Sequence, residues 1–177
     1  MFDLLARLRT RLGLVFGVAA FWLAEPTPRS IAAGAVIAGL GEALRIWAAG
    51  HLHKSSEVTA SGPYRWIAHP LYVGSSVLGI GLAVASASLV VTLLIAVYLG
   101  ATIAAAVRTE EAFLREQFDG AYQRYKAGRA PTTARRFSLE RVIANGEHRT
   151  LAGIAAAVLL LALKATYNGL FWRVTGR

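Results

Sequence analysis

Apolar residues fall in five long runs, each bounded by polar or helix-breaking positions. A bilayer hydrocarbon core about 30 Å thick is crossed by about 20 apolar residues in a helix, and every run is close to that length. The first, residues 8–24, closes on Glu25-Pro26-Thr27-Pro28, where two prolines stop helix propagation. The second, 31–49, is preceded by Ser30 as a predicted N-cap and carries Gly34, Gly39 and Gly41, which permit close helix approach. The third, 70–86, begins at Pro70, a residue suited to a first helical turn. Ser86-Ala87-Ser88 reads as a short hairpin into the fourth run, 89–107, which is predicted to continue from Arg108 as an amphipathic extension to about Lys126. Residues 127–148 are basic and rich in turn formers, and are predicted to be irregular. The fifth run, 150–172, ends in Phe171-Trp172-Arg173, an interfacial anchor pattern. The expected fold is an all-α polytopic membrane bundle of about five transmembrane helices with a cytosolic amphipathic extension.

Composition sharpens this picture. Only 16% of the 177 residues are charged and 55% are hydrophobic, whereas a soluble domain carries about a quarter charged residues. The mean hydropathy of +0.48 agrees. The absence of cysteine excludes disulfides, thiolate nucleophiles and Cys-ligated metals. A net charge of +9 would suit nucleic acid, but the basic residues cluster at the ends of the apolar runs. There the positive-inside rule and anionic headgroups account for them, so no nucleic-acid partner is expected.

The same charges orient the chain. With a cytoplasmic N-terminus, one side holds Arg7, Arg9, Arg11, Lys54, Arg65, Arg108 and the cluster from Arg115 to Arg149. The other side holds Arg29, Arg173 and Arg177. Both long polar segments, 50–69 and 108–148, therefore face the cytoplasm. The N-terminus looks like a signal peptide, but Phe21-Trp22-Leu23-Ala24-Glu25-Pro26 offers no small-x-small cleavage site, so a retained first helix is expected.

Two polar segments carry candidate chemistry. In the first, Gly62-Pro63 signals a turn, and His69-Pro70 places an imidazole at the mouth of the third helix. The unsatisfied N–H groups near Leu71 and Tyr72 could receive a carboxylate. Tyr72, three residues after His69, lies near the same helix face. Tyr64, Trp66, His69 and Tyr72 read equally well as an interfacial aromatic belt. In the second segment, Arg108-Thr109-Glu110-Glu111 sets two carboxylates at the end of a very apolar helix. Glu111 can pair with Arg115 at i, i+4 on a solvated face, leaving Glu110 free to face the bundle and bind an ammonium group. Phe118, Tyr122 and Tyr125 form a stripe that reads as packing. Within the runs, Glu42 and Arg45 are expected to neutralise one another, Lys164 to snorkel, and Gly13-x-x-x-Gly17 to pack helices. His51 and His53 lack the carboxylate-plus-histidine context of a metal site, and no metal is expected.

Taken in order, Gly62-Pro63-Tyr64, His69-Pro70-x-Tyr72-x-Gly74, Glu110-Glu111 and Phe118-x-x-x-Tyr122-x-x-Tyr125 resemble the isoprenylcysteine carboxyl methyltransferase and phospholipid methyltransferase superfamily. The resemblance spans roughly residues 40–131. One departure stands out: the family usually has arginine before His-Pro, and here Ala68 stands there, with Arg65 one turn earlier. The resemblance implies a membrane-embedded enzyme using S-adenosylmethionine. It implies that Pro63, Tyr64, His69 and Tyr72 line the cofactor, that Glu110 and Glu111 hold its ammonium group, and that Arg108 sits by the reacting group. Gly79-Ile80-Gly81 looks like the Gly-x-Gly of the phospholipid branch, a pattern also common in membrane helices.

On this reading the chain is one membrane domain: an N-terminal helix pair (1–49), a cofactor-binding core (50–131), and a basic connector with a C-terminal helix (132–177). The expected activity is methyl transfer to a membrane lipid or lipidated small molecule, as carboxyl O-methylation or phospholipid amine N-methylation. His69 or Glu111 would serve as base for an amine. The expected location is a prokaryotic inner or plasma membrane with the site facing the cytoplasm. Thiol methylation, an NADPH-dependent membrane reductase and a non-catalytic membrane subunit are the alternatives, and oligomeric state is open.

The cysteine-free sequence makes the orientation testable with single introduced thiols. Ser88→Cys should react with a membrane-impermeant maleimide in intact cells, and Gly128→Cys only after permeabilisation. The reverse pattern would invert the topology.

Overall fold

A computed structural model describes residues 13, 15–53, 56–129 and 135–175, with the side chains of Asp119 and of residues from 170 onward left out. The expectations for Arg7, Arg9, Arg11, Lys54, Arg177, the 131/132 boundary and the Phe171-Trp172-Arg173 side chains lie outside the described residues. No described residue is in a strand. The helices are α1 (15–23), α2 (Pro28–Ala49), a 3₁₀ turn (Gly62–Arg65), α3 (Pro70–Ser86), α4 (Leu89–Lys126), α5 (Leu139–Ala144) and α6 (Glu147–Thr175). Among the described residues, three stretches are long and apolar enough to cross a membrane: Pro28–Ala49, Leu89–Phe118 and Glu147–Gly169. Their large outward-facing residues, such as Leu93, Val97, Leu160 and Leu163, are exposed, as suits contact with lipid. The protein is an integral membrane protein.

Two boundaries differ from the sequence reading. Helix α2 starts earlier, capped by Thr27, with Ser30 returning the bond as the third residue of a capping box. Pro28 at the first helical position has no N–H to lose, so the break ends at Thr27 rather than Ser30. The stretch 127–148 is not wholly irregular, because Ser138 caps the short α5 and α6 begins at Glu147. This connector covers the end of α2, whose last carbonyls lack helical partners. Asn145 donates to Ala49 O (3.0 Å) and Leu52 O (3.2 Å), while Arg141 Nε (2.8 Å) and Ser138 N (3.1 Å) donate to Gly50 O.

Helices α2 and α3 form the most extensive interface, an antiparallel pair in near backbone contact. A Cβ on Gly41 would stand 2.5 Å from Leu78 N and 2.6 Å from Gly74 O; Gly34 and Gly81 face one another in the same way. Gly39, grouped with them in the sequence, faces open space, as does Gly17, while Gly13 lies against the Tyr98 hydroxyl. Only glycines on the seven-residue spacing of the crossing meet the partner helix.

Arg45 closes this interface at the end where α2 finishes and α3 begins. The expected Glu42 pairing exists at 3.5 Å, yet the guanidinium fork is committed elsewhere. It grips Glu147 of α6 with both arms, at 2.8 to 3.0 Å, and also donates to Ser75 of α3. The planar donor pair matches a carboxylate across the bundle better than one on its own helix. Both Glu42 oxygens are buried without a hydrogen-bond partner. At the opposite end Lys164 does more than snorkel: its ammonium donates to the α1 carbonyls of Phe21 (2.6 Å) and Trp22 (2.7 Å). Ala24, Ala85, Val91 and Leu161 pack together there.

The glycine contact yields a paired prediction. Gly41→Ala should destabilise the protein by about 1–3 kcal/mol, because the helices must separate to admit a methyl group. Gly39→Ala should be neutral or stabilising by up to about 1 kcal/mol, from backbone entropy alone. Thermal unfolding in detergent measures both, and equal effects would contradict the seam.

Candidate functional site

The segment before α3 is shaped by Gly62. Its φ of +56° is costly for other residues, and a Cβ would stand 2.5 Å from the His51 ring. The His51 ring itself is hydrogen-bonded to Trp47 O at 3.0 Å. Past the 3₁₀ turn, Pro63 O receives both Trp66 N and Ile67 N at 3.1 Å, and the chain extends to His69, the N-cap of α3. The His69 carbonyl accepts from Tyr72 N (3.1 Å) and Val73 N (3.2 Å). The Tyr72 amide, expected to receive a carboxylate, is thus satisfied within the helix. The His69 imidazole makes no cap bond and points instead toward α4.

Two carboxylates meet it there. Glu110 Oε2 lies 3.7 Å from Nδ1, and Glu111 Oε1 lies 3.6 Å from Nε2. Each ring nitrogen faces an acceptor just beyond hydrogen-bond length, so whichever carries the proton has a carboxylate to orient it. The expectation that Glu111 stays on a solvated face is incomplete. It pairs with Arg115 at 3.2 Å but also turns inward, and its side chain is less exposed (24%) than that of Glu110 (38%).

The far end of α4 folds back over the pair. Phe118 leaves helical geometry (φ −135°, ψ 33°), which breaks the helix into two segments. In a straight helix residues 111 and 126 would be about 22 Å apart. With the kink, Lys126 Nζ donates to both Glu111 oxygens, at 3.0 and 3.1 Å. The Tyr125 hydroxyl donates to Tyr64 O at 2.8 Å, tying the fold-back to the 3₁₀ turn. Tyr122 is 1% exposed, and its hydroxyl has no hydrogen-bond partner within 3.5 Å. Lys126 lies 5.5 Å above the Tyr122 ring.

The structure thus brings His69, Glu110 and Glu111 together, with the Tyr72 ring 5.7 Å from the imidazole. Pro63 and Tyr64 are buried in the adjoining turn. Arg108 is exposed on α4, and both Ala68 and Arg65 face outward. Gly79 and Gly81 sit more than two turns further along α3, where a Cβ on Gly79 would strike Leu99 and one on Gly81 would strike Ala38. Their contacts are helix packing. Between α3 and α4 runs an open apolar groove of about 440 Å³, lined by Gly79, Ala83, Ala96, Leu99, Gly100 and Ala104. The sequence pattern does not single out Lys126, and for Tyr122 and Tyr125 it gives a packing stripe within the family resemblance. The adjacent Asp119-Gly120, a turn-type dipeptide, is the signal that α4 breaks there.

Burial pushes the phenols of Tyr64, Tyr122 and Tyr125 above the ordinary tyrosine value near 10, with the Glu110 charge adding at Tyr64 and the Glu111 charge at Tyr122. Their protons are held more tightly in the folded state, so stability should fall as pH rises through about 10, where unfolded tyrosines ionise. Absorbance at 295 nm should show at least three of the six tyrosines titrating late. All six ionising together near 10 would contradict this burial.

The phospholipid methyltransferase family profile matches residues 12–121. The cobalt-zinc-cadmium resistance protein CzcN of Cupriavidus metallidurans is 35% identical over 118 residues, covering 65% of this chain and 53% of that protein. The chain therefore spans about half the length of that relative. No solved structure matches significantly. The matched region runs from α1 past the acidic pair and includes the whole His69 segment, and this membrane protein belongs to the phospholipid methyltransferase family.

Proposed function

We propose that the protein is an S-adenosylmethionine-dependent methyltransferase acting on a lipid or lipid-like acceptor at the cytoplasmic surface. The observation that carries the reading is the acidic pair facing His69, one member of which already holds an ammonium group, that of Lys126. The residues fit the amino-acid end of the cofactor: two neighbouring carboxylates complement a cation, and the Tyr122 hydroxyl and His69 Nε2, buried beside Glu111, make no hydrogen bond within 3.5 Å. Glu110 and Glu111 would bind the ammonium, with Pro63, Tyr64, His69 and Tyr72 beside them. When bound, S-adenosylmethionine supplies a methyl group on a sulfonium, activated for in-line displacement.

The protein's part is alignment and exclusion of water, and proximity of this kind is worth about 7–11 kcal/mol. For an amine acceptor, His69 takes a proton on one ring nitrogen while the carboxylate at the other holds the imidazole in place. For an acceptor bearing a carboxylate or phosphate, exposed Arg108, one turn before Glu111, orients it by charge-assisted hydrogen bonds. The groove between α3 and α4 supports a lipid-like acceptor, being apolar, open at its side and lined mostly by small residues. In this reading α1 and α3 complete five membrane spans. Helix α3 has 17 residues rising about 26 Å, slightly less than the hydrocarbon core.

Purified protein should bind S-adenosylhomocysteine with a Kd of order micromolar. Glu110→Gln and His69→Ala should each weaken binding about tenfold or more, the scale of a lost charged hydrogen bond. Isothermal titration in detergent measures this, and binding indifferent to both substitutions would reject the site. Selective binding of NADPH instead would identify a reductase.

A further inference from the structure

We infer that Lys126 is an internal plug, an ammonium group that occupies Glu111 until the ammonium of an incoming amino-acid-bearing cofactor displaces it. The inference rests on the cofactor reading above and adds a resident competitor to that site.

Three observations converge on it. The first is the contact: Lys126 Nζ bonds both oxygens of Glu111, at 3.0 and 3.1 Å, on the carboxylate that also faces His69. The second is its origin. Fifteen residues along α4 separate the pair, and only the break at Phe118 brings them together. An i, i+4 pair with Arg115 already exists on the outer side of Glu111, so Lys126 is a second cation, reaching the carboxylate by fold-back. The third is releasability. The Lys126 side chain is 41% exposed, so its ammonium can leave for water without being stranded in the core. Tyr125, next in the chain, is held separately through Tyr64 O, so the lysine can swing away while the backbone stays docked.

The ligand group that competes is a primary ammonium near the carboxylate pair. S-adenosylhomocysteine carries one, and methylthioadenosine, which shares the nucleoside and thioether, does not. A solvent-exposed ion pair of this kind is weak, and that sets the size of the effect. Lys126→Met should tighten S-adenosylhomocysteine binding about two- to fivefold and leave methylthioadenosine binding unchanged, both read by isothermal titration on the full chain in detergent. Lys126→Arg, which keeps a cation, should stay close to wild type.

Wild-type protein offers a second measurement independent of any folding defect in the variants. Acetylation of Lys126 by an amine-reactive ester, followed by mass spectrometry, should speed up with saturating S-adenosylhomocysteine and not with methylthioadenosine. Unchanged or weaker S-adenosylhomocysteine binding in Lys126→Met, alongside intact wild-type binding, would overturn the plug and leave the cofactor site standing. Equal tightening of both ligands would also overturn it, pointing to a general loosening of the fold-back. Failure of wild type and Lys126→Met alike to bind S-adenosylhomocysteine would remove the cofactor reading, and the plug with it.

Discussion

Two helices approach backbone to backbone only where neither carries a side chain at the crossing. Gly34 and Gly41 on α2 meet Gly81 and Gly74 on α3 in this way, with no room for a single methyl group between them. In lipid there is no hydrophobic force to press helices together, so close van der Waals contact between small residues is what holds them. This seam sets the height of α3 against α2, and so the height of His69 at the start of α3. Arg45, one turn beyond Gly41, then joins the seam to α6 through Glu147. The imidazole is placed by helices held through close apolar contact and the Arg45–Glu147 pair.

Among the described residues, unsatisfied polar atoms are buried at several places, Glu42, Thr59 and Ser61 included. His69 Nε2 and the Tyr122 hydroxyl are both buried without hydrogen-bond partners, and both lie around Glu111. Orphaned polar atoms carry a free-energy cost, so each needs a physical reason to persist in a folded protein. Glu42 is a buried orphan too, but its near neighbour is Arg45, whose remaining donors serve Glu147, Ser75 and Thr150. The two places differ in setting: Glu42 sits in the junction of helices, whereas His69 and Tyr122 surround Glu111.

The hydrophobic pattern was enough to place four long helices and the starts of the two polar segments, because helix length in lipid follows apolar run length. The pairing of His69 with the Glu110-Glu111 dipeptide was legible only through family resemblance, since nothing local links positions so far apart. Residues that depend on the bend at Phe118 were not legible. No proline marks the kink, Asp119-Gly120 signals a break without its angle, and the partner of Lys126 is fixed by the angle between two half-helices rather than by spacing. Arg45 shows the same limit, since the i, i+3 rule found Glu42 and could not foresee a better-oriented carboxylate 102 positions away. The glycines show it in miniature: Gly39 and Gly41 look alike in the sequence and differ only in which face meets α3.

The bond from the Tyr125 hydroxyl reaches the main chain of residue 64 and ignores its side chain. Position 64 is therefore free to vary without unfastening the fold-back, whereas position 125 must keep a donor of phenolic reach. Because the carbonyl belongs to a turn bent by the left-handed Gly62, the angle of the last α4 segment is tied to backbone geometry more than 60 residues upstream. Replacement of the Tyr64 side chain would leave this carbonyl in place to receive the bond, while one added methyl at the glycine would be transmitted to the angle of the segment.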